Sequence, residues 1–285
     1  MNILSIQSHV AYGFVGNRAA TFPLQRLGFD VWAVNTVQFS NHTGYGAWKG
    51  EVFSPEHVRS VIEGIDERGA LRRCDALLTG YLGDPALGEV VMETAARLRG
   101  ASPGAIWACD PVMGDVGRGF FVRPGLPELF RDHLVPQADV ITPNQFELEH
   151  LAGGQVGTLA QAIDAARSVI ARGTRHVLVT SLQRTDADPG RIEMLAVGAS
   201  DAYLVSTPLL AFETPPNGSG DAVAALFLGH YLRSRDVASA LGEAAAAIFA
   251  IMAATSATGE RELALIAAQA EFAAPSSRFP VTAVG

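Results

Sequence analysis

Ile3-Leu4-Ser5-Ile6-Gln7-Ser8, then Gly13-Phe14-Val15-Gly16-Asn17, then Arg18 to Leu27, then Val31 to Phe39: these opening pieces of the chain decide its fold class. The first run is apolar and short, and reads as a buried strand. The two glycines after it mark a turn. Arg18 to Leu27 has the spacing of a helix, and Val31 to Phe39 reads as a second strand. Strand, helix, strand in under forty residues is a βαβ unit, which makes the two strands parallel neighbours joined by a crossover helix.

The same alternation continues down the chain. Pro55 to Arg68 is expected to be helical with Ser54 as its N-cap. Strands are expected at Ala76 to Thr79, Ala105 to Cys109, Val140 to Thr142 and Val177 to Thr180. Between them, helices are expected at Pro85 to Arg99, Phe146 to Leu151 and Leu159 to Arg172. Two alternating segments from about Glu193 to Pro208, split by Gly198 to Asp201, predict an antiparallel hairpin at the sheet edge. Beyond Gly220 three helices are expected, at 221–233, 237–255 and 261–272. No linker-like run interrupts the pattern, so residues 1–285 are read as one domain.

Composition narrows the function. Of 285 residues, 48% are hydrophobic and 18% charged, which supports a large core and argues against disorder. The net charge is -8, and no basic cluster appears, so no nucleic-acid partner is expected. Cys74 and Cys109 form neither a metal-ligand pair nor a disulfide framework. The N-terminus has no basic run ahead of a long apolar segment, and Ala244 to Ala254 is shorter than the ~20 residues of a membrane span. A soluble, cytoplasmic protein without a membrane partner is expected. Lys49 is the only lysine and does not follow a glycine loop, which excludes a P-loop kinase.

The chemistry gathers where strands end. Ligands of open α/β sheets bind beyond the carboxyl ends of the strands. Those ends read Ser8-His9, then Ser40-Asn41-His42-Thr43-Gly44-Tyr45-Gly46, Gly80-Tyr81-Leu82-Gly83, Asp110-Pro111-Val112-Met113-Gly114-Asp115, Thr142-Pro143-Asn144-Gln145-Phe146-Glu147 and Thr180-Ser181. The run Pro215-Pro216-Asn217-Gly218-Ser219-Gly220-Asp221 precedes an apolar helix-forming stretch. Glycines there allow a tight turn and close approach to a ligand. The free N–H groups of a helix start favour an anion, and Asp221 stands ready to take a proton. Base and anion cradle within four residues point to a small-molecule kinase. Taken alone, the same run also reads as an ordinary helix start with a favourable acidic residue.

These stretches together resemble the pyridoxal kinases of the ribokinase-like superfamily, almost end to end. The most specific pieces are Ser40-Asn41-His42-Thr43 and Gly80-Tyr81-Leu82-Gly83; the Gly218-Ser219-Gly220-Asp221 element by itself indicates only the superfamily. The resemblance implies an α/β fold with a central, mostly parallel sheet flanked by helices on both faces, and a small flap at about 40–52 over the substrate. It implies ATP-dependent phosphorylation of the 5'-hydroxyl of pyridoxal, with pyridoxine and pyridoxamine as further acceptors, and a homodimer. It makes Asp221 the base, and Gly218, Ser219 and Gly220 the anion hole. Ser8, His42, Thr43, Gly44 and Tyr81 would surround the acceptor ring. Asp110, Thr142, Asn144 and Glu147 would serve the ATP phosphates, and Asp110, Glu147 and Asp115 an Mg²⁺ ion. Thr180, Ser181 and Thr207-Pro208-Leu209-Leu210 would line the rest of the nucleotide site. A monovalent cation is a further cofactor associated with such a site.

Two positions depart from the commoner pattern. Ser219 stands where threonine is frequent and keeps the hydroxyl, whereas Thr180 stands where some bacterial relatives carry lysine. Gln183 to Arg191, rich in Asp, Pro and Gly, looks like a mobile lid. Related kinases for hydroxymethylpyrimidine usually have cysteine at the position of Asp221, and the Ser40-Asn41-His42-Thr43 run argues against sugars. A vitamin B6-binding protein with little turnover satisfies the same residues. Cys109 reads as a small buried hydrophobe, and His57, His133, His150, His176 and His230 as packing or surface residues.

Overall fold

The computed structural model describes residues 1–276 and 278–285. The first unit forms as the sequence predicts: β1 (Asn2–Val10), α1 (Asn17–Arg26) and β2 (Asp30–Phe39), with β1 and β2 parallel. There follow β3 (Gly50–Val52), α2 (Pro55–Glu67), β4 (Ala76–Thr79), α3 (Leu87–Ala101) and β5 (Ile106–Cys109). A two-stranded ribbon, β6 (Gly114–Asp115) with β7 (Gly119–Phe120), leads to the short α4 (Leu126–Leu129) and β8 (Val140–Ile141). The rest comprises α5 (Gln145–Ala152), α6 (Leu159–Ile170), β9 (His176–Leu182), β10 (Arg191–Val197), β11 (Ala202–Pro208), α7 (Ser219–Ser234), α8 (Val237–Thr258) and β12 (Val281–Ala283).

Among the described residues, ten of the twelve strands form one sheet, in the order β12-β11-β10-β9-β8-β5-β4-β1-β2-β3, and β6 and β7 pair apart from it. The middle, from β2 to β9, is parallel, and both flanks are antiparallel. Parallel strands are covered on both faces, so they read as near-continuous apolar runs. Successive side chains still alternate. Leu4 and Ile6 pack into one layer with α2, α3, α5 and α6, while Ile3 packs into the other with α1, α7 and α8. Ser54 caps α2 by accepting the His57 N–H, as expected.

Three expectations need correction. The hairpin of β10 and β11 is not the sheet edge, because β12 adds outside β11, and its three residues gave no pattern long enough to read. The stretch 261–272 is not a helix. Only a single turn at Gln269–Glu271 forms, and the preceding residues run irregularly past the mouth of the site. The apolar helix extends from Val237 to Thr258, which by length and composition alone would suffice to cross a membrane. In this fold its alanine-rich face packs on α7, β10 and β11, so small side chains serve close helix packing.

Candidate active site

A cavity of about 960 Å³ opens beyond the carboxyl ends of the parallel strands. Every residue singled out above as base, anion hole, acceptor, nucleotide or metal residue borders it. The tertiary structure therefore brings six separated strand ends and one helix start to a single site, as the topology of an open α/β sheet requires.

The helix start is built by close approach. Gly218 precedes α7 with φ of 89°, and a Cβ there would lie 1.8 Å from the Phe14 carbonyl oxygen. Any other residue would force the loop after β1 away. Gly220 differs: a Cβ there would meet no protein atom within 4 Å, so the space before it belongs to the cavity. Ser219 and Gly220 lie in the first turn, whose N–H groups have no intrahelical acceptor. Asp221 lies in the same turn, with the Gly16 backbone beside it. Burial pushes its pKa up to about 6, with the neighbouring Gly16 and Asp221 backbone opposing the shift. It is ionised at neutral pH yet much more basic than a surface aspartate, which suits proton acceptance.

Facing it are two buried carboxyls. Asp110 is 5% exposed and accepts the Thr142 hydroxyl at 3.0 Å. Burial raises its pKa well above the carboxylate range, and the Glu147 and Asp221 carboxylates raise it further. Glu147 is the third residue of a capping box: its backbone N–H donates to the Asn144 side chain, and its own carboxylate accepts the Asn144 N–H at 2.9 Å. The other carboxylate oxygen accepts from Met113 N–H at 2.8 Å and, more weakly, from Gly114 N–H at 3.4 Å. Burial pushes Glu147 up to about 8 despite these three donors. Asn144 also donates to the Gly114 carbonyl at 2.8 Å. Glu147 and Asn144 thus bind the loop from Asp110 to Asp115 onto the start of α5.

This sharpens the metal expectation. Among the described residues no three His, Cys, Asp or Glu side chains converge to hold an ion. Asp115 accepts its neighbour's N–H, from Val116 at 2.8 Å, and Glu147 is largely committed to the backbone. Asp110 and Asp115 each keep one oxygen without a hydrogen-bond partner. A hard divalent cation that retains water and binds through one or two carboxylates plus phosphate oxygens fits such a set; a cation caged by protein alone does not.

The acceptor end is apolar. Val10, Val15, Val37 and Phe39 form a small cluster joined by Val52 and Tyr81, and all but Val52 border the cavity. Thr36 hydroxyl donates to the Tyr81 carbonyl at 2.8 Å, which holds the Gly80–Gly83 stretch against β2. Ser8 is buried at the end of β1. His42 accepts the Gly44 N–H on Nδ1 at 3.0 Å, and its pKa is pushed down to about 4 by burial, then by Arg118 and Arg261. It is neutral, and the proton sits on Nε2. Thr43 and Gly44 follow it in the turn Thr43–Tyr45. The flap is the segment from Ser40 to Val52, and β3 ties its return to β2.

At the other end, Thr180, Ser181 and Thr207 to Leu210 join Ile192, Met194, Phe249 and Met252. These apolar side chains from β10 and α8 were not anticipated, because nothing in a core-type strand or helix marks the residues that reach a cavity. Two arginines were also missed. Arg118 stands between Gly117 and Gly119 in the ribbon turn, and Arg261 in the irregular stretch after α8. Isolation between two glycines was the one available signal for Arg118; Arg261 had none. The expected lid, Gln183 to Arg191, gives no residue to the cavity. Arg184 donates to both Glu193 carboxylate oxygens, at 2.6 and 3.0 Å, and Thr185 donates to the Gly157 carbonyl. Cys109 is fully buried with its thiol pushed up to about 12, as a small hydrophobe should be.

Comparison with known proteins agrees with this geometry. The phosphomethylpyrimidine kinase family matches residues 32–265. A pyridoxal kinase of Rubrobacter xylanophilus is 58% identical over 285 residues, covering 100% of this chain and 98% of its own length. One of Deinococcus radiodurans is 52% identical over 282 residues, covering 98% and 95%. The solved pyridoxal kinase of Leishmania donovani in complex with ADP and pyridoxamine is 35% identical, with a TM-score of 0.92 over 100% of this chain and 99% of that one. With matches of this extent, carried by both the sequence and the sheet that frames the cavity, the chain belongs to the phosphomethylpyrimidine kinase family and, within it, to the pyridoxal kinases.

Proposed function

We propose that this chain transfers the γ-phosphoryl group of ATP to the 5'-hydroxyl of pyridoxal, yielding pyridoxal 5'-phosphate in vitamin B6 salvage, with pyridoxine and pyridoxamine as further acceptors. The observation that carries this reading is Asp221. Its basic carboxylate stands beside the open space at Gly220, between an apolar acceptor end and a separate nucleotide end of one cavity. The Leishmania donovani relative, solved with ADP and pyridoxamine and again with ADP and pyridoxine, supports the choice of substrates.

Phosphoryl transfer needs positioning and charge neutralisation more than covalent help. Asp221 takes the proton of the attacking hydroxyl. The N–H groups of Ser219 and Gly220 face the transferring group at the positive end of the α7 dipole. The apolar walls hold the vitamin ring, and the neutral His42 offers an Nε2 donor without repelling a cation. A divalent cation, which a nucleotide-using kinase employs, would neutralise phosphate charge when bound; for Mg²⁺, the free oxygens of Asp110 and Asp115 would be the donors, with Glu147 in support. Asp221 also separates this chain from hydroxymethylpyrimidine kinases, which usually carry cysteine there.

The reading extends, on family resemblance, to a monovalent-cation requirement, a homodimer and a cytoplasmic location. The continuous sheet from β1 to β12 supports residues 1–285 working as one domain. The test is turnover of purified protein with Mg-ATP against pyridoxal, pyridoxine, pyridoxamine, a hydroxymethylpyrimidine and sugars. Phosphorylated vitamer is the expected product. Binding of pyridoxal without turnover would establish a binding protein instead, and preference for the pyrimidine would reassign the substrate.

A further inference from the structure

The flap is fastened to a distant part of the chain. Tyr45 hydroxyl donates to Glu262 Oε1 at 2.6 Å. The other oxygen of Glu262 accepts the Phe14 N–H at 3.0 Å. Arg261 donates from Nη2 to the Gly44 carbonyl at 2.7 Å, and its guanidinium lies 4.2 Å from the Tyr45 ring centre. Tyr12 packs edge-on against Tyr45 from the loop after β1. One end of this chain of contacts is the flap turn that carries His42, Thr43 and Gly44. The other is the loop whose Phe14 carbonyl touches Gly218 and whose Gly16 backbone lies beside Asp221.

We infer that Arg261 and Glu262 form a latch that holds the flap shut over the acceptor and registers its closure on the glycine loop beside Asp221. They are positioning residues, since they act through Tyr45, Gly44 and Phe14. A vitamin ring held mainly by apolar walls has few polar anchors, so flap position sets its distance from the base. An error of about 1 Å there costs on the order of a hundredfold in rate. A charged carboxylate accepting two hydrogen bonds and a guanidinium donating to a carbonyl are the stronger kinds of hydrogen bond. Tyr45 stays in its donating form, because burial and the bond to Glu262 raise its hydroxyl to about 12. The inference rests on the acceptor reading above, though the latch can be tested without it.

Lys49 makes that test simple. It is the only lysine, it lies exposed in the flap, and its backbone is held by Ser40, whose N–H donates to the Lys49 carbonyl at 2.7 Å and whose hydroxyl accepts the Lys49 N–H at 2.9 Å. A lysine-specific protease can therefore cut this chain only after Lys49, and only when the flap opens. We expect Tyr45→Phe and Glu262→Gln each to speed that cut about fivefold, with the double variant no faster than Glu262→Gln alone. Pyridoxal should slow the cut in the wild type and protect the variants less. In turnover, KM for pyridoxal should rise about fivefold while KM for ATP stays within about twofold. Tyr45→Phe removes a hydroxyl from a partly exposed ring, so it leaves folding intact. Cutting of both single variants at the wild-type rate would overturn the latch, as would equal rises in both KM values. A wild type that does not phosphorylate pyridoxal would overturn the substrate reading, and the cleavage rates would still decide the latch.

Discussion

The phosphoryl-transfer centre and the flap end of the cavity are built by opposite means. The centre is assembled from short motifs, each stabilising itself: Asn144 and Glu147 share a capping box three residues apart, and Gly218 to Asp221 form one helix start. The flap end is held by contacts between residues 217 apart in the chain, Tyr45 with Glu262 and Gly44 with Arg261. The centre sets the buried carboxyls Asp110 and Glu147 near a half-buried Asp221; the flap end is half-exposed and carries the two arginines of the cavity lining. The difference teaches that the chemistry is fixed in place by local structure, while access to it is governed by tertiary contacts that can be made and broken.

The largest expected effect lies at the centre. Asp221→Asn should lower kcat by roughly 10²–10⁴, about 3–5 kcal/mol of barrier, while nucleotide binding changes far less. Near-normal turnover with pyridoxal would remove Asp221 from the role of base and blur the distinction between the two ends. Next come the two glycines of the same helix start. Gly218→Ala sets a Cβ against the Phe14 carbonyl at positive φ, and should lose both stability, by about 1–3 kcal/mol, and activity. Gly220→Ala meets no protein atom and should keep its melting temperature while losing turnover, because the methyl group occupies space meant for phosphate. Equal losses of melting temperature would refute that division.

The pH profile gives a smaller and more specific test. Asp221 acts as a base only when ionised, and its pKa is raised to about 6. The rate with pyridoxal should therefore lose its Asp221-dependent part as pH drops through about 6. A fall beginning near 4 would mean that burial does not perturb this carboxyl. His42 titrates near 4, so the flap end should add no step in the neutral range.

Legibility followed the same division. Asp110, Thr142, Glu147 and Asp221 were readable because each sits in a run whose neighbours explain it: a strand end, a helix start or a glycine turn. The βαβ alternation was readable because parallel strands are buried on both faces, which leaves unbroken apolar runs. Arg261 was not readable. It falls in a stretch whose spacing mimics a helix, and only the position of the flap gives it a partner. In the segment Gln183 to Arg191 the sequence shows Asp, Pro and Gly, whereas only the tertiary structure shows Arg184 reaching Glu193 across the strand pair. Ile192, Met194 and Phe249 look like any core residues until the sheet and α8 set them at the cavity wall.

By itself, then, the chain of amino acids determined the α/β class, the alternation of the main parallel strands with their helices, and the glycine-rich helix start that ends in Asp221. Each depends on interactions within a few residues, where period, propensity and hydrogen-bonding partners are all local. Only the tertiary structure decided that β12 closes the sheet beyond the hairpin, that Glu147 binds the loop after β5 with one oxygen and caps its own helix with the other, and that Arg261 and Glu262 reach the flap. Those depend on which distant segments meet in space, and a contact across 217 residues leaves no periodic trace in the sequence.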